Sequence, residues 1–272
     1  MRVLVISSCT GEKSVRRTDQ LMLDDFRQGP AYAAERERAL ADLLTPAEAL
    51  YTGLQHQRLM AGVRELRERA PDIRLDLHIL SAGYGLVPGD RRLAPYEATF
   101  AGMGKRALRA WADQLDLPTS VRELLAEPYD LALVLLGNEY LEACQISDDV
   151  RLGAPTLLIC GANMAKALPK LPRLRLLALS NAEAKRFSCA LIGLKGELAA
   201  RILRRLADAG PVLANRLFDP GRSPLDILES ARHHETRLLE VRASRADLRR
   251  YSAILAQVPD VPPAPGDEIA SQ

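Results

Sequence analysis

The chain has 272 residues, and 37 Lys+Arg nearly balance 35 Asp+Glu, for a formal net charge of +2 with 26% charged and 47% hydrophobic residues. This is ordinary globular composition and excludes disordered, collagen-like and coiled-coil classes. It also excludes a polyanion binder driven by bulk charge, so any nucleic-acid role rests on a local basic face.

In chain order, the sequence runs at once into Val3-Leu4-Val5-Ile6. No charged leader with a cleavage site precedes this run, so the expectation is no signal peptide and a cytoplasmic location. No apolar stretch approaches the ~20 residues of a membrane helix, so no membrane partner is expected. Short apolar runs recur at Leu75–Leu80, Leu131–Leu136, Thr156–Cys160 and Leu174–Leu179. Their length and near-continuous apolar character predict strands buried on both faces. Between them, Gln55–Arg69 carries Leu59, Val63 and Leu66 on one helical stripe, and Lys105–Leu115 and Leu198–Ala207 show the same period. The expected class is therefore α/β: a mostly parallel or mixed central sheet flanked by helices, with a C-terminal helical extension.

The turns behind the strands carry the candidate chemistry. They are Ser7-Ser8-Cys9-Thr10-Gly11-Glu12-Lys13, Ser81-Ala82-Gly83-Tyr84-Gly85-Leu86, Gly137-Asn138-Glu139-Tyr140 and Gly161-Ala162-Asn163-Met164-Ala165-Lys166. Ligands of open α/β sheets bind at the carboxyl ends of the strands, where these turns would converge. Gly and Asn also serve any tight turn, so a single turn of this kind says little. The first turn offers hydroxyls, a thiol and Lys13 to a phosphate or carboxylate. It is not a P-loop, because the G-x-x-x-x-G-K-[ST] pattern is absent. Cys9 needs a nearby base to act as a nucleophile and otherwise lines a pocket. Tyr84, with Tyr96 behind Pro95, offers rings that stack on a base, hydrogen-bond a ligand or simply cap the sheet, and Gly85 permits close backbone approach. Thr52 or Gly53, after Tyr51, would open the Gln55–Arg69 helix; this is an ordinary cap unless its free N–H groups hold an anion. Arg201, Arg204 and Arg205 form a basic helix face that either tracks phosphates or is simply solvated.

The four cysteines Cys9, Cys144, Cys160 and Cys189 are widely spaced without a C-x-x-C pair, and His233-His234 lie far from all of them. Neither a disulfide framework nor a zinc site is expected, and no cofactor is implied. Aromatic residues at 4% argue against a broad base-stacking surface.

The segments Leu50-Tyr51-Thr52-Gly53, Leu80-Ser81-Ala82-Gly83-Tyr84-Gly85-Leu86, Pro95-Tyr96 and Arg186-Phe187-Ser188 … Lys195-Gly196 occur in an order that resembles the YaaA-type peroxide-stress proteins. The likeness is greatest to a shorter branch with an S-C-[ST]-x-x-K opening, and it spans residues 1 to about 207. Ala190–Gly196 lacks that family's Lys-Lys-Ala-Arg-Gly core. The resemblance implies an α/β fold, a cytoplasmic role and DNA binding linked to protection from oxidative damage, with no agreed catalytic activity. It implies a site at Ser8, Lys13, Tyr51, Tyr84, Gly85, Pro95, Tyr96 and Lys195. With the turn residues, the expected ligand-binding set is Ser8, Cys9, Thr10, Lys13, Tyr51, Gly53, Ser81, Tyr84, Gly85, Tyr96, Asn138 and Lys195.

The expected organisation is an α/β domain over 1–207, a helical extension over 208–257 and a Pro-rich tail over 258–272. Helices are expected over Leu225–Val241 and from Ser244 to about Ala256, and Arg242, Arg245, Arg249 and Arg250, set among acidic neighbours, form a basic cluster there. The leading expectation is a nucleic-acid-associated stress or repair protein whose partner is DNA, RNA or a nucleotide. Tyr84 or Tyr96 would stack on a base while Lys13 and Lys195 contact phosphate. The alternative is an enzyme acting on a nucleoside or nucleotide, with Glu97, Asp90 or Glu139 as general acid or base and Cys9 as the other catalytic candidate. A third reading is a non-catalytic protein that binds its partner through the C-terminal helices.

Overall fold

The computed structural model describes residues 1–229. The expected helices beyond residue 229, their basic cluster and the Pro-rich tail lie outside the described residues. In chain order the elements are β1 (Arg2–Ser8), β2 (Leu21–Met22), α1 (Leu23–Arg27), α2 (Pro30–Ala39), β3 (Thr45–Pro46), α3 (Ala47–Leu50), α4 (Leu54–Arg69), β4 (Arg74–Ser81), β5 (Gly85–Pro88), β6 (Arg92–Leu93), β7 (Tyr96–Glu97), α5 (Lys105–Gln114), α6 (Leu117–Ala126) and β8 (Leu131–Leu135). They continue with α7 (Asn138–Cys144), β9 (Thr156–Gly161), α8 (Ala162–Ala167), β10 (Leu174–Leu179), α9 (Asn181–Arg186), α10 (Leu191–Ala209) and α11 (Pro211–Leu217). Residues 224–229 are also helical.

Among these residues six strands form the main sheet, in the order β10-β9-β8-β1-β4-β5. The first five are parallel, and β5 closes one edge antiparallel to β4. The fold is thus α/β with a mixed, mostly parallel sheet. Every residue of β8 is buried, and so are Val3–Ser8 of β1. Burial at both parities requires cover on both faces, which is why these strands read as continuous apolar runs. The α4/α10 pair supplies one layer and α5–α7 the other.

Strand order reverses direction at β1, whose two neighbours β4 and β8 are reached by separate crossovers. This is the topological switch point of a doubly wound sheet, and the crevice it leaves opens at the carboxyl ends of β1 and β8.

The α4/α10 crossing is unusually close because glycine faces backbone. A Cβ on Gly62 would lie 2.4 Å from Ala200 Cα, and one on Gly196 would lie 2.0 Å from the Gln55 carbonyl oxygen. The expected apolar stripe Leu59, Val63 and Leu66 is fully buried against this layer. α10 starts earlier than its periodic stretch from Leu198, because it follows a break at Ser188 (φ 48°). The compact unit runs to Leu228, with Leu213, Leu217, Leu225 and Leu228 buried in the same core as the sheet.

Two outcomes follow. Gly196→Ala overpacks the α4/α10 crossing and should lower stability by about 1–3 kcal/mol or more in urea unfolding, with little effect from Gly104→Ala, whose Cβ meets nothing. His56 on α4 is 1% exposed, and its Nε2 donates to the Glu48 carbonyl at 2.9 Å while Nδ1 finds no partner. Burial lowers its pKa, so the folded state resists protonation. Stability from this group is present above the unfolded value of about 6.5 and is lost as pH falls below it. Chemical unfolding measured between about pH 7 and 5 should show a decline that His56→Leu reduces.

Candidate functional site

Parallel pairing brings the ends of β1, β4, β8 and β9 to one edge, so the four turns picked out by composition do gather there. Three different environments result.

The first is a hydroxyl chain. Tyr96 is fully buried, and its Oη lies 2.8 Å from both Tyr51 Oη and Ser81 Oγ. Ser81 Oγ also accepts the Gly83 and Tyr84 N–H groups at 3.1 and 3.0 Å. Burial pushes the Tyr51 and Tyr96 phenols far above their ordinary value, so both stay protonated. Tyr96 therefore does not stack on a ligand as expected: its ring packs edge-on against Tyr84, Phe26 and Tyr51. Gly85 (φ +73°) closes the β4–β5 turn, a backbone role that explains its position in the motif.

The second environment surrounds Lys13. Its side chain is only 2% exposed, and Nζ sits 4.5 Å from the centre of the Tyr96 ring. The ion pair to Glu97, at 3.7 Å, is longer than a hydrogen bond. Burial lowers the Lys13 pKa, with Glu97 opposing the shift. A backbone bridge joins Lys13 to Tyr51, so the turn after β1 is tied to the lead-in of α4. Thr10 Oγ1 accepts the Gly53 N–H at 3.2 Å and so occupies one donor of the α4 N-terminus, in keeping with a cap. Cys9 Sγ lies 2.9 Å from Tyr140 Oη, across the β1/β8 switch point.

The third environment is the end of β8. Lys195 Nζ donates to the Leu136 carbonyl at 3.1 Å, and burial lowers its pKa against the opposing charges of Cys160 and Glu139. Gln55 Nε2 donates to the Leu135 carbonyl at 3.2 Å. Asn138 is exposed at the start of α7, with its Oδ1 near Gly161. Ser8 is buried at the tip of β1.

Other expected residues separate from this edge. Asp90 lines a cavity with Arg2, Arg74 and His78 at the amino ends of β1 and β4, away from the other candidates. Arg201 and Arg204 are paired with Glu197 and Glu65, and Arg205 donates to the Ile227 carbonyl, so no open phosphate-tracking face exists on α10. Glu197 lies one turn earlier on α10 itself, whereas Glu65 and Ile227 come from other segments, so the stretch from Leu198 onward read alone looked basic. All four cysteines are buried and unbridged. Among the described residues no cluster of His, Cys, Asp and Glu could hold a metal ion, and no helix is long and apolar enough to cross a membrane.

Sequence reasoning missed Tyr140, Gln55, Phe26 and Trp111. Tyr140 stood in a turn already singled out. The other three belong to helices whose approach to the edge only the fold supplies.

Ser81→Ala strips an acceptor from two buried N–H groups and a partner from Tyr96, so it should destabilise by about 1–3 kcal/mol in thermal or urea unfolding. Tyr51→Phe, which removes one end of the chain, should cost less; an equal or greater cost would contradict the central role given to Ser81.

A family model described as a family of unknown function (DUF6884) matches residues 38–155, less than half of the chain, from the end of α2 to just before β9. No curated protein matches. The matched span holds Tyr51, Ser81, Tyr84, Tyr96 and Asn138 but neither Lys13 nor Lys195.

Proposed function

We propose that this protein binds a nucleotide or nucleic-acid phosphate at the carboxyl edge of its sheet, in the nucleic-acid-associated stress or repair role that the YaaA resemblance implies. The observation that carries the reading is the placement of two lysines, one buried and one half-buried, at the switch point: Lys13 just beyond β1, and Lys195 on the Leu136 carbonyl just past β8. Each ammonium bears a desolvation cost that its neighbours do not fully offset. An anion entering the crevice would offset it. The switch-point crevice is where doubly wound sheets bind their ligands, and perturbed titratable groups placed in a cleft are candidates for a functional site.

Glu97 favours a second reading. It is the half-exposed partner of a buried lysine, within reach of solvent and of any ligand held by Lys13. A carboxylate so placed can act as general acid or base in cleavage of an N-glycosidic bond.

Labelled single- and double-stranded DNA and RNA should bind at low salt and weaken steeply as salt rises. Lys13→Gln and Lys195→Gln should each weaken binding and reduce the salt slope by about one. Absence of binding to every oligonucleotide at low salt overturns the proposal. Release of free base from a nucleoside panel, abolished by Glu97→Gln, would establish the second reading in its place.

A further inference from the structure

A cavity of about 580 Å³ opens between α1, the start of α2, the β4–β5 turn and α5. This volume falls within the range of about 300–1,000 Å³ typical of small-molecule sites. Tyr96 separates it from Lys13: the Tyr84 ring on the cavity wall packs edge-on against Tyr96 at 5.2 Å, and Lys13 lies on the Tyr96 ring.

The aromatic walls are fixed in place. Trp111 Nε1 donates to the Ala82 carbonyl at 2.8 Å, and Phe26 meets Tyr84 edge-on at 4.9 Å. The polar groups are not satisfied in the same way. Glu37 Oε1 and Tyr84 Oη are both buried without completing a hydrogen bond. Burial first, then the neighbouring Glu37, pushes the Tyr84 phenol up, so Tyr84 stays a protonated hydroxyl beside Glu37. Buried polar atoms of this kind are normally paired, and an unpaired carboxylate oxygen is especially costly. At the mouth, the Arg91 guanidinium lies 5.4 Å from the centre of the Tyr84 ring, with no carboxylate partner among the described residues. Arg27 stands 6.0 Å from the centre of the Trp111 ring and pairs with Asp24.

We propose that this cavity binds the guanine base of a nucleotide, with Glu37 reading its Watson–Crick edge, Tyr84 beside it and Arg91 at the phosphate. The chemistry selects the base. A carboxylate offers two acceptors side by side and so takes two adjacent N–H donors. Guanine alone among the common bases presents them, at N1 and N2, and its neighbouring O6 accepts from a hydroxyl. Adenine and cytosine each place a ring-nitrogen acceptor beside their amino group, which would face the carboxylate unfavourably. Uracil has one donor between two acceptors. The flat aromatic walls suit a purine, and a guanidinium suits phosphate.

The inference deepens the nucleotide reading by naming a base and a second place on the molecule, and its test separates the two. Trp111 is the only tryptophan in the chain, so its fluorescence reports on this cavity. Titration of the full chain with GMP, AMP, CMP, UMP and guanosine should show GMP and guanosine changing the Trp111 emission, with GMP at least about tenfold tighter than AMP. Glu37→Gln should erase that preference, because an amide can pair with adenine. Arg91→Ala should weaken GMP and leave guanosine unchanged. Ala33→Leu, which fills the cavity without touching its polar groups, should abolish the response, and it keeps the test open should Glu37→Gln fail to fold by circular dichroism. No emission change, equal affinity for the four nucleotides, or an unaltered preference in a folded Glu37→Gln protein overturns the inference. A guanosine response retained in Lys13→Gln and Lys195→Gln proteins supports it. The same response in a chain that binds no oligonucleotide supports it too, while defeating the reading of the lysine edge.

Discussion

The buried hydroxyl of Tyr96 is the constraint on which the carboxyl edge depends. A phenol taken wholly out of water must keep hydrogen-bond partners, and these come from two other segments, Tyr51 ahead of α4 and Ser81 at the end of β4. Three stretches far apart in sequence are thereby held within one hydrogen-bonded chain. Once β7 is pinned there, Glu97 is delivered to Lys13, and the Tyr96 ring becomes the surface on which the ammonium rests. The opposite side of the same aromatic cluster, Tyr84 and Phe26, forms the wall of the cavity. One ring thus divides a cationic place from an aromatic one, and a change at Ser81 or Tyr51 would disturb both.

A second close contact sets the position of Lys195. The α4 and α10 backbones touch at Gly62 and Gly196, and no larger residue fits at either point without a shift. The Lys-Gly pair at 195–196 therefore has two jobs. Glycine lets α10 meet the first turn of α4 at Gln55, and the lysine next to it is carried to the end of β8. Gln55 on the opposing helix reaches the neighbouring carbonyl of the same strand. Packing alone accounts for the glycine. It does not account for placing a half-buried ammonium, its pKa lowered by desolvation, at the end of β8.

The strands were legible because burial on both faces removes alternation and leaves short apolar runs, as in Leu131–Leu136. The stripe of α4 was legible through its period. β5 was not, since Gly85–Pro88 is a short antiparallel edge that begins at a positive φ and ends in proline. The first turns of α10 were hidden for a related reason: they contain two glycines and no side-chain cap. For the site, topology did most of the work, because parallel strands must bring their following turns to one edge. What each side chain does there depended on partners from elsewhere. Tyr96 lost its stacking role to Tyr51 and Ser81, and the arginines of α10 lost theirs to Glu65 and the Ile227 carbonyl and, within the helix itself, to Glu197. Phe26, Glu37 and Trp111 carry no local signal at all.

The two ends of the sheet show how to separate structural from functional charge in a chain whose total is nearly neutral. At the amino end, Arg2 meets Asp76 at 2.9 Å, Glu127 at 3.4 Å and the Tyr129 ring, and Arg74 meets Asp76 at 3.3 Å. These guanidiniums sit within a network that holds the carboxylate of Asp76 below its ordinary value despite some burial. Their charge is answered inside the protein, and the cavity they line needs no ligand to account for it. At the carboxyl end, Lys13 and Lys195 are less solvated and answered by one long ion pair, the Tyr96 ring and one carbonyl. Burial there lowers the pKa instead of neighbours raising it. A fold that needed only stability could place apolar side chains at both positions at little cost. The two ammonium groups at the switch point are the places that the proposed anion would complete.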